Sequence, residues 1–165
     1  MTAIRPAVSE SDFAVVRQLF EQYAASLSID LSFQDFQREL ASLPGAYAPT
    51  RGALFLAYVE TVAAGCIGLR PFSESVGEIK RLYVLPSFRG QGVARALVAA
   101  ALAQARRCGY ATLVLDTLGS MHSAIALYES FGFRRTEAYY PNPLPNVLYF
   151  RLSLEANEEP KNADV

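Results

Sequence analysis

The stretch EIKRLYVLPSFRGQGVARAL, residues 78–97, predicts a β-strand, a tight turn and a long helix in immediate succession. The strand is predicted from the apolar run at residues 82–85 and ends at Pro86, which has no N–H group to donate to a neighbouring strand. The helix is predicted from residues 93–105, which are rich in Ala and Leu, two of the best helix formers. This succession places the first turn of the helix at the carboxyl end of the strand.

The turn between the strand and the helix has the features of an anion-binding site. Gly90 and Gly92 carry no Cβ, so the backbone there can approach a ligand closely. The first amides of a helix have no intrahelical acceptor and lie at the positive end of the helix dipole. Arg89 and Arg95 add positive charge beside them. The turn therefore predicts a site for a phosphate group.

The pattern of the turn distinguishes among phosphate binders. The P-loop run Gly-x-x-x-x-Gly-Lys-Ser/Thr does not occur in the sequence, and the dinucleotide fingerprint is incomplete because Arg95 stands where its third Gly would be. The pattern that does occur is Arg89-x-x-Gly92-x-Ala94, directly after a strand that ends Val-x-Pro. It resembles the pyrophosphate loop of the GNAT superfamily of acetyl-CoA-dependent N-acetyltransferases.

A second motif lies downstream, at residues 124–133, AIALYESFGF. It resembles the other GNAT hallmark, Ala-x-x-Leu-Tyr-x-x-x-Gly-Phe, on the helix that follows the fifth strand. The resemblance covers residues 53–154, and residues 1–50 fit a strand and two helices that form part of the acceptor wall in this superfamily. The sequence departs from the family pattern at Met121, where the family often has Asn. One polar contact to the pantetheine arm that this Asn would make is therefore not expected.

The resemblance implies a binding site for acetyl-CoA as the acyl donor. In the family, the pantetheine arm pairs with the central strand like an extra strand. By resemblance, the backbone polar groups of Leu82 and Val84 would bind this arm here. The pyrophosphate is expected to bind the amides at the helix start, while the preceding residues shape the turn. The predicted cofactor-binding residues are Leu82, Tyr83, Val84, Arg89, Gly90, Gln91, Gly92, Val93, Ala94, Arg95 and Tyr128.

The resemblance also implies catalytic roles for Tyr128 and Glu78. Tyr128 matches the family's general acid, which protonates the sulfur of the leaving coenzyme A, a thiol with a reference pKa of about 8.5. Glu78 matches the position from which several family members supply a carboxylate base, and a protonated amine needs such a base before it can attack. The alternatives are that Tyr128 only packs between helix and sheet, and that Glu78 forms a salt bridge with Lys80 or Arg70.

The acceptor site is predicted less sharply. Strand periodicity puts Glu78, Lys80, Leu82 and Val84 on one face of the central strand and Ile79, Arg81, Tyr83 and Leu85 on the other. Two cations in mid-strand indicate a wet cleft or paired charges. Lys80 and Arg81, with Arg70, are candidates for binding an acceptor carboxylate, and the rings of Tyr139 and Tyr140 are candidates for the roof of the pocket.

The predicted fold class is α/β (α+β), a GNAT-like mixed, mostly antiparallel seven-stranded sheet flanked by about four helices. The strands are predicted at residues 2–8, 53–59, 62–69, 78–85, 111–115, 134–140 and 147–154, with a bulge near Gly65 or Gly68. Helices are predicted to begin at Ser9, Ser32, Gly92 and Met121, and the central strand should pair in parallel with the fifth strand. Residues 1–155 are predicted to form a single acetyltransferase domain and 156–165 a polar tail.

Composition narrows the remaining possibilities. With 165 residues, 52% of them hydrophobic, the chain can form a core, and its net charge of −1 gives no electrostatic signal for nucleic acid or an anionic membrane. No targeting or transmembrane run is present, and Cys66 and Cys108 are interpreted as buried apolar residues in a strand and a helix, so we expect a cytoplasmic protein. One His and no carboxylate cluster predict no metal site.

We therefore predict acetyl transfer from acetyl-CoA to a primary amine of a small molecule or amino acid, by direct attack in a ternary complex. Cys66 is the nearest candidate acyl carrier, so a ping-pong route stays open. The alternatives are a protein or peptide N-acetyltransferase and a non-catalytic acyl-CoA-binding sensor module. Dimerisation through the last strands is common in the superfamily, and the sequence leaves a homodimer open.

Overall fold

The computed structural model describes residues 1–27, 30–31 and 35–155. The predicted start of the second helix at Ser32 and the predicted tail at residues 156–165 lie outside these described residues. The α-helices are α1 (Glu10–Leu27), α2 (Phe36–Ala41), α3 (Val93–Arg107) and α4 (His122–Ser130). The strands are β1 (Thr2–Pro6), β2 (Ala53–Val59), β3 (Val62–Pro71), β4 (Val76–Val84), β5 (Thr112–Leu118), β6 (Arg134–Thr136) and β7 (Val147–Ser153), and short 3-10 helices occupy Gly45–Tyr47 and Pro86–Phe88.

The seven strands form one sheet in the order β1-β2-β3-β4-β5-β7-β6. The pairs β1–β2, β2–β3, β3–β4, β5–β7 and β6–β7 are antiparallel, and β4–β5 is parallel. Parallel neighbours require a crossover connection, which α3 supplies between β4 and β5. The predicted fold class is confirmed.

Apolar side chains fill both faces of the sheet. On one face, α3 buries Leu97, Val98 and Ala101 against strand residues such as Ile67. On the other face, Val16 and Phe20 of α1 pack against side chains that include Cys66. Successive side chains of a strand point to opposite faces, so the neighbours Cys66 and Ile67 belong to different cores. The middle of the sheet is thus covered on both sides, as its apolar strands predict.

The predicted start of α1 is confirmed in detail. The amide of Asp12 donates to Ser9 Oγ at 3.1 Å, and the Asp12 carboxylate accepts from the Ser9 amide at 3.2 Å. The same carboxylate accepts from the Val8 amide at 3.0 Å. These backbone hydrogen bonds stabilise the charged form and lower the pKa of Asp12. The pattern Ser-x-x-Asp therefore satisfies amides before and at the helix start, as in a capping box.

Two bulges change the register of the central strands. Ala64 is an extra residue of β3 opposite the Ala57–Tyr58 pair of β2, next to the predicted bulge position Gly65. A second register shift gives β4 one extra residue between Lys80 and Tyr83, and Arg81 there has a φ of 60°.

The second bulge makes the predicted face assignment of β4 wrong. Arg81 bonds Glu39 of α2 and lies over the Phe36 ring, so it occupies the α1–α2 face. Lys80 and Arg81 therefore share one face, while Leu82 and Val84 pack with the α3 core. Period-2 alternation assumes a regular strand, and one inserted residue breaks it.

Several element ends differ from the prediction. β6 ends at Thr136 instead of residue 140. Beyond it, the Tyr139 and Tyr140 hydroxyls donate to Glu78 of β4 and Asp116 of β5. α2 ends at Ala41, before Pro44, and Cys108 caps α3 instead of lying inside a helix. Among the described residues, no helix is long and apolar enough to cross a membrane.

Candidate active site

The site begins where β4 and β5 separate. Their parallel pairing runs only from Val76–Thr112 to Glu78–Val114, whereas β5 stays paired with β7 along its whole length. Beyond Glu78, the edge of β4 that faces β5 has no strand partner among the described residues. The split leaves backbone polar groups in mid-sheet that a ligand can bind.

An open groove of about 870 Å³ extends from this split along the start of α3. It brings together most of the residues predicted to bind the cofactor. From the predicted set, the groove is lined by Leu82, Tyr83, Val84, Arg89, Gly90, Gly92, Val93, Ala94 and Arg95. Residues of the α4 start form the other wall, among them Met121 and Ala124. Gln91 lies outside the lining and donates from Nε2 to the Ser87 carbonyl at 3.4 Å.

The glycines of the turn are required by backbone conformation. Gly90 and Gly92 have φ values of 76° and 80°, in the left-handed region that favours Gly. A Cβ added at either residue would have no heavy atom within 4 Å, so crowding by the protein does not explain them. The first intrahelical bond runs from the Ala96 amide to the Gly92 carbonyl, and the amides before Ala96 lie at the free end of the helix. The start of α3 therefore fits a pyrophosphate.

The two arginines of the turn stiffen the groove walls. Arg89 Nε donates to the Val84 carbonyl at 3.1 Å, so one acceptor at the end of β4 already has a donor. Arg95 Nη2 donates to Ser130 Oγ at 3.1 Å, and Arg95 Cζ lies 5.2 Å from the centre of the Phe131 ring. Arg95 thus links α3 to the end of α4.

A second, smaller cavity of about 50 Å³ lies within the split itself. It shares Leu82, Met121 and Ala124 with the groove, so the two spaces meet there. Side chains from both faces of the sheet and from the segment after β6 contribute to it. Its remaining lining is Tyr23, Leu27, Leu31, Ile79, Lys80, Arg81, Asp116, Thr117, Leu118, Tyr128, Asn142, Leu144 and Val147.

Tyr128 lies on the wall of this second cavity, near the junction with the groove. It is only 6% exposed and packs edge-to-face against Phe133, with ring centroids 5.8 Å apart. Burial raises the pKa of the Tyr128 phenol, and the nearby Tyr23 and Asp116 raise it further. The phenol therefore keeps its proton at neutral pH and can donate a hydrogen bond.

Glu78 is buried and faces neither of the two cavities. It is 2% exposed, and Oε1 accepts from Arg70 Nε at 2.8 Å while Oε2 accepts from the Tyr139 hydroxyl at 2.6 Å. It belongs to the lining of neither space. The salt bridge with Arg70, one of the two alternatives for Glu78, is present; a role as the base stays a prediction.

The cations predicted to bind an acceptor carboxylate are paired within the protein. Arg81 donates from Nε and Nη2 to Glu39 at 2.9 and 3.2 Å, and Arg70 Nη1 lies 3.8 Å from the same carboxylate. Lys80 Nζ lies 3.6 Å from Asp116 Oδ1. Burial lowers the pKa of Lys80.

Asp116 is the main site residue that the sequence did not predict. Its Oδ2 accepts from the Tyr140 hydroxyl and from Asn142 Nδ2, the latter at 3.3 Å. Asn142 Nδ2 also donates to the Tyr140 oxygen at 2.8 Å. The sequence signal was available, because Asp116 is a polar residue directly after the apolar run that predicts a buried parallel strand. In the described parts of the chain, no group of three or more His, Cys, Asp or Glu side chains could hold a metal ion.

Comparison with known proteins identifies the family. The model of the acetyltransferase (GNAT) family matches residues 15–133. The chain is 40% identical over 140 residues to an uncharacterized N-acetyltransferase of Schizosaccharomyces pombe. This match covers 84% of the present chain and 86% of the relative. The chain belongs to the GNAT acetyltransferase family. The match to this family includes both motifs, at residues 89–94 and 124–133.

Solved structures have the same fold as this GNAT acetyltransferase. A GNAT acetyltransferase of Staphylococcus aureus Mu50 has a TM-score of 0.78 at 18% identity, covering 94% of this chain and 100% of that chain. One from Elizabethkingia anophelis, solved with acetyl-CoA bound, has a TM-score of 0.60 at 22% identity, covering 93% and 98%. As a member of the family, this acetyltransferase is an acyl-transfer enzyme that acts with acetyl-CoA.

Proposed function

We propose that this acetyltransferase moves the acetyl group of acetyl-CoA to a primary amine of a small molecule or amino acid, by direct attack in a ternary complex. The observation that carries the proposal is the meeting of the groove and the second cavity at Leu82, Met121 and Ala124. A donor in the groove and an acceptor in the cavity would approach each other at this junction, with Tyr128 beside them. The small volume of the cavity favours a small acceptor over a folded protein surface.

The groove residues bind and orient the donor. The amides at the start of α3 and the helix dipole favour the pyrophosphate, and the unpaired edge of β4 offers backbone polar groups to an extended chain. Acetyl-CoA supplies an acetyl group activated as a thioester. A free N–H of β4 near the junction would stabilise the charge that develops on the thioester oxygen.

Tyr128 is the proposed proton donor. When the amine nitrogen bonds to the acetyl carbon, the carbon–sulfur bond breaks and its electron pair goes to sulfur. The phenol, which burial keeps protonated, donates a hydrogen bond to that sulfur and lowers the cost of its negative charge. The protonated amine loses one proton to a base before it attacks, and the nitrogen loses a second proton as the amide forms. The phenol gives its proton to the sulfur and then regains one, so that one proton is released overall and charge and atoms balance. A sensor module would not need this hydroxyl at the junction.

Two carboxylates are available to receive the amine proton. Glu78 is the one that the resemblance indicates, and it would act through its partners because both of its oxygens accept hydrogen bonds within the protein. Asp116 lines the cavity directly. A ping-pong route through Cys66 is disfavoured because burial raises the pKa of that thiol and because the thiol donates to the Arg81 carbonyl.

The test is thiol release from acetyl-CoA, measured against amines, amino acids, polyamines and short peptides, with acetyl-CoA affinity measured by calorimetry. We expect binding of acetyl-CoA and turnover with small amines. Acetylation of peptides alone would replace the small-molecule proposal, and binding with no turnover on any class would support the sensor alternative. A homodimer stays a prediction that sedimentation of the purified chain would test.

A further inference from the structure

We infer that the acceptor is a primary amine with an apolar body and no carboxylate, and that its nitrogen binds at Asp116. This inference rests on the proposed acetyl transfer at the junction of the two spaces. It narrows the acceptor class, because simple amino acids carry a carboxylate next to the amine. It also identifies a carboxylate of β5, in place of one on β4, as the group that contacts the acceptor.

The charge pairing around the cavity disfavours an anionic acceptor. Lys80 and Arg81 are the cations in the cavity lining, and Arg70 shares the Glu39 carboxylate with Arg81. Each has a carboxylate within 4.0 Å, and their side chains are at most 28% exposed. An acceptor carboxylate would have to displace Glu39 or Asp116 and leave that group buried without its partner, which is costly at low dielectric.

Asp116 is the carboxylate that lines the cavity. Its Oδ2 is already bound by Tyr140 and Asn142, which fix the orientation of the group. Its Oδ1 lies 3.6 Å from Lys80 Nζ, which is longer than the 2.7–3.2 Å of a normal N–H···O bond. A carboxylate oxygen has two lone pairs, so Oδ1 can accept from an amine in the cavity.

The position of Asp116 suits an attacking nitrogen. β5 is paired with β4 as far as Val114, so Asp116 lies two residues beyond the point of separation. The cavity that it lines also contacts Tyr128 on α4 and shares Leu82 with the cofactor groove. Glu78 precedes the separation and contacts neither space. A nitrogen at Asp116 would therefore lie at the junction.

Part of the wall that would hold the rest of the acceptor is apolar, beside the polar side chains of Thr117 and Asn142. Its apolar residues come from α1, from the segment before α2 and from the segment that leads into β7. These wall residues are Leu27, Leu31, Leu144 and Val147. Burying apolar groups of a ligand against such walls is favourable, whereas a second charge there would lose its hydration without a partner. This part of the lining therefore favours an apolar group on the acceptor, as in an alkylamine or arylalkylamine that enters from the groove.

The first experiment compares amines that differ only in the carboxylate. The pairs are 3-methylbutylamine with leucine and 2-phenylethylamine with phenylalanine, and leucinamide separates charge from size. We expect kcat/KM for each amine to exceed that of its amino acid at least about tenfold, with leucinamide closer to the amine. Amino acids that react as well as the amines would overturn the inference. So would turnover of neither class by a chain that binds acetyl-CoA. A chain that fails to bind acetyl-CoA would refute the proposed function itself.

The second experiment tests the role of Asp116 through the Asp116→Asn variant, which keeps the shape of the side chain. We expect kcat/KM for the best amine to fall about 10- to 100-fold, while the KM for acetyl-CoA stays within about twofold. The unchanged KM for acetyl-CoA shows that the fold and the groove are intact. The matched control is Asp35→Asn, a change at an exposed carboxylate paired with Arg38 on the surface. An Asp116→Asn variant with the kcat/KM of the wild type would overturn the assignment.

Discussion

Arg81 and Glu39 form a two-point ion pair between the bulge of β4 and α2, with donor–acceptor distances of 2.9 and 3.2 Å across 42 residues of sequence. Arg81 is 5% exposed and lines the cavity, and Glu39 also contacts Arg70. The pair fixes a residue of positive φ at the start of the strand split. The shape of the cavity thus depends on a contact between two distant elements.

Replacing Glu39 with Gln should destabilise the fold. The change leaves the buried Arg81 guanidinium without its counter-charge, and breaking a buried ion pair costs about 3–5 kcal/mol. The free energy of unfolding in urea measures the effect. Asp35→Asn, at the exposed pair with Arg38, should change it by less than about 0.5 kcal/mol. Equal effects of the two variants would contradict the role of the Arg81 pair.

Replacing Tyr128 with Phe should lower turnover and spare the affinity for acetyl-CoA. The change removes the hydroxyl at the junction but keeps the ring that packs against Phe133. We expect kcat to fall about 10²-fold, measured by thiol release, with the Kd from calorimetry unchanged. Tyr58→Phe on β2 removes a hydroxyl that accepts from Arg5 far from both cavities and should not change kcat. Unchanged turnover in Tyr128→Phe would remove this residue from the acid role.

Replacing Gly92 with Val should prevent tight binding of acetyl-CoA, and Gly109→Val provides a matched control. Both glycines have a φ of 80°, both have open space where a Cβ would be, and they lie at opposite ends of α3. The strain in the left-handed region should therefore be similar, about 1–2 kcal/mol. Only the change at Gly92 disturbs the amides proposed to bind the pyrophosphate, so calorimetry should show weaker binding only there. Equal affinities would refute this location.

Replacing Asp12 with Asn should produce a pH-dependent loss of stability. The pKa of Asp12 is lower in the folded chain, so the carboxylate stabilises the fold above the unfolded pKa, near 3.8, and this contribution is lost as the pH falls through the folded pKa. We expect the variant to be about 1 kcal/mol less stable at pH 7, with the difference closing below pH 3.8. Urea unfolding at pH 7 and pH 3 measures it. Glu21→Gln, at an exposed position of α1, is the control and should change the stability at pH 7 by less than about 0.5 kcal/mol.

The parts of the fold that local sequence determines were predicted well. Pro86, Gly92 and Gly109 mark the ends of β4 and α3, because each acts through the backbone of its own neighbourhood. The bulge at Arg81 could not be predicted in the same way. An Arg at positive φ has no local signal, and what holds it there is Glu39, 42 residues away.

The candidate site shows the same division. The groove residues from β4, the turn and the start of α3 follow one another along the chain, so a single stretch of sequence contains them. Glu78 accepts hydrogen bonds from Arg70 and Tyr139, and Asp116 accepts one from Asn142. These residues are brought together only in the folded sheet. The end of a strand in the sequence therefore indicates where the site lies. The ion pairs and hydrogen bonds of its charged residues depend on partners that are distant in sequence.

The separation of β4 from β5 also has a consequence for aggregation. Beyond Glu78, the edge of β4 that faces β5 has no strand partner in the described part of the chain, and an uncovered edge is a template for pairing with the strands of other chains. A ligand that lies along β4 covers this edge and binds only the folded state, so it also raises the free energy of unfolding by mass action. For a protein built in this way, the supply of coenzyme would help to determine how long newly made molecules survive.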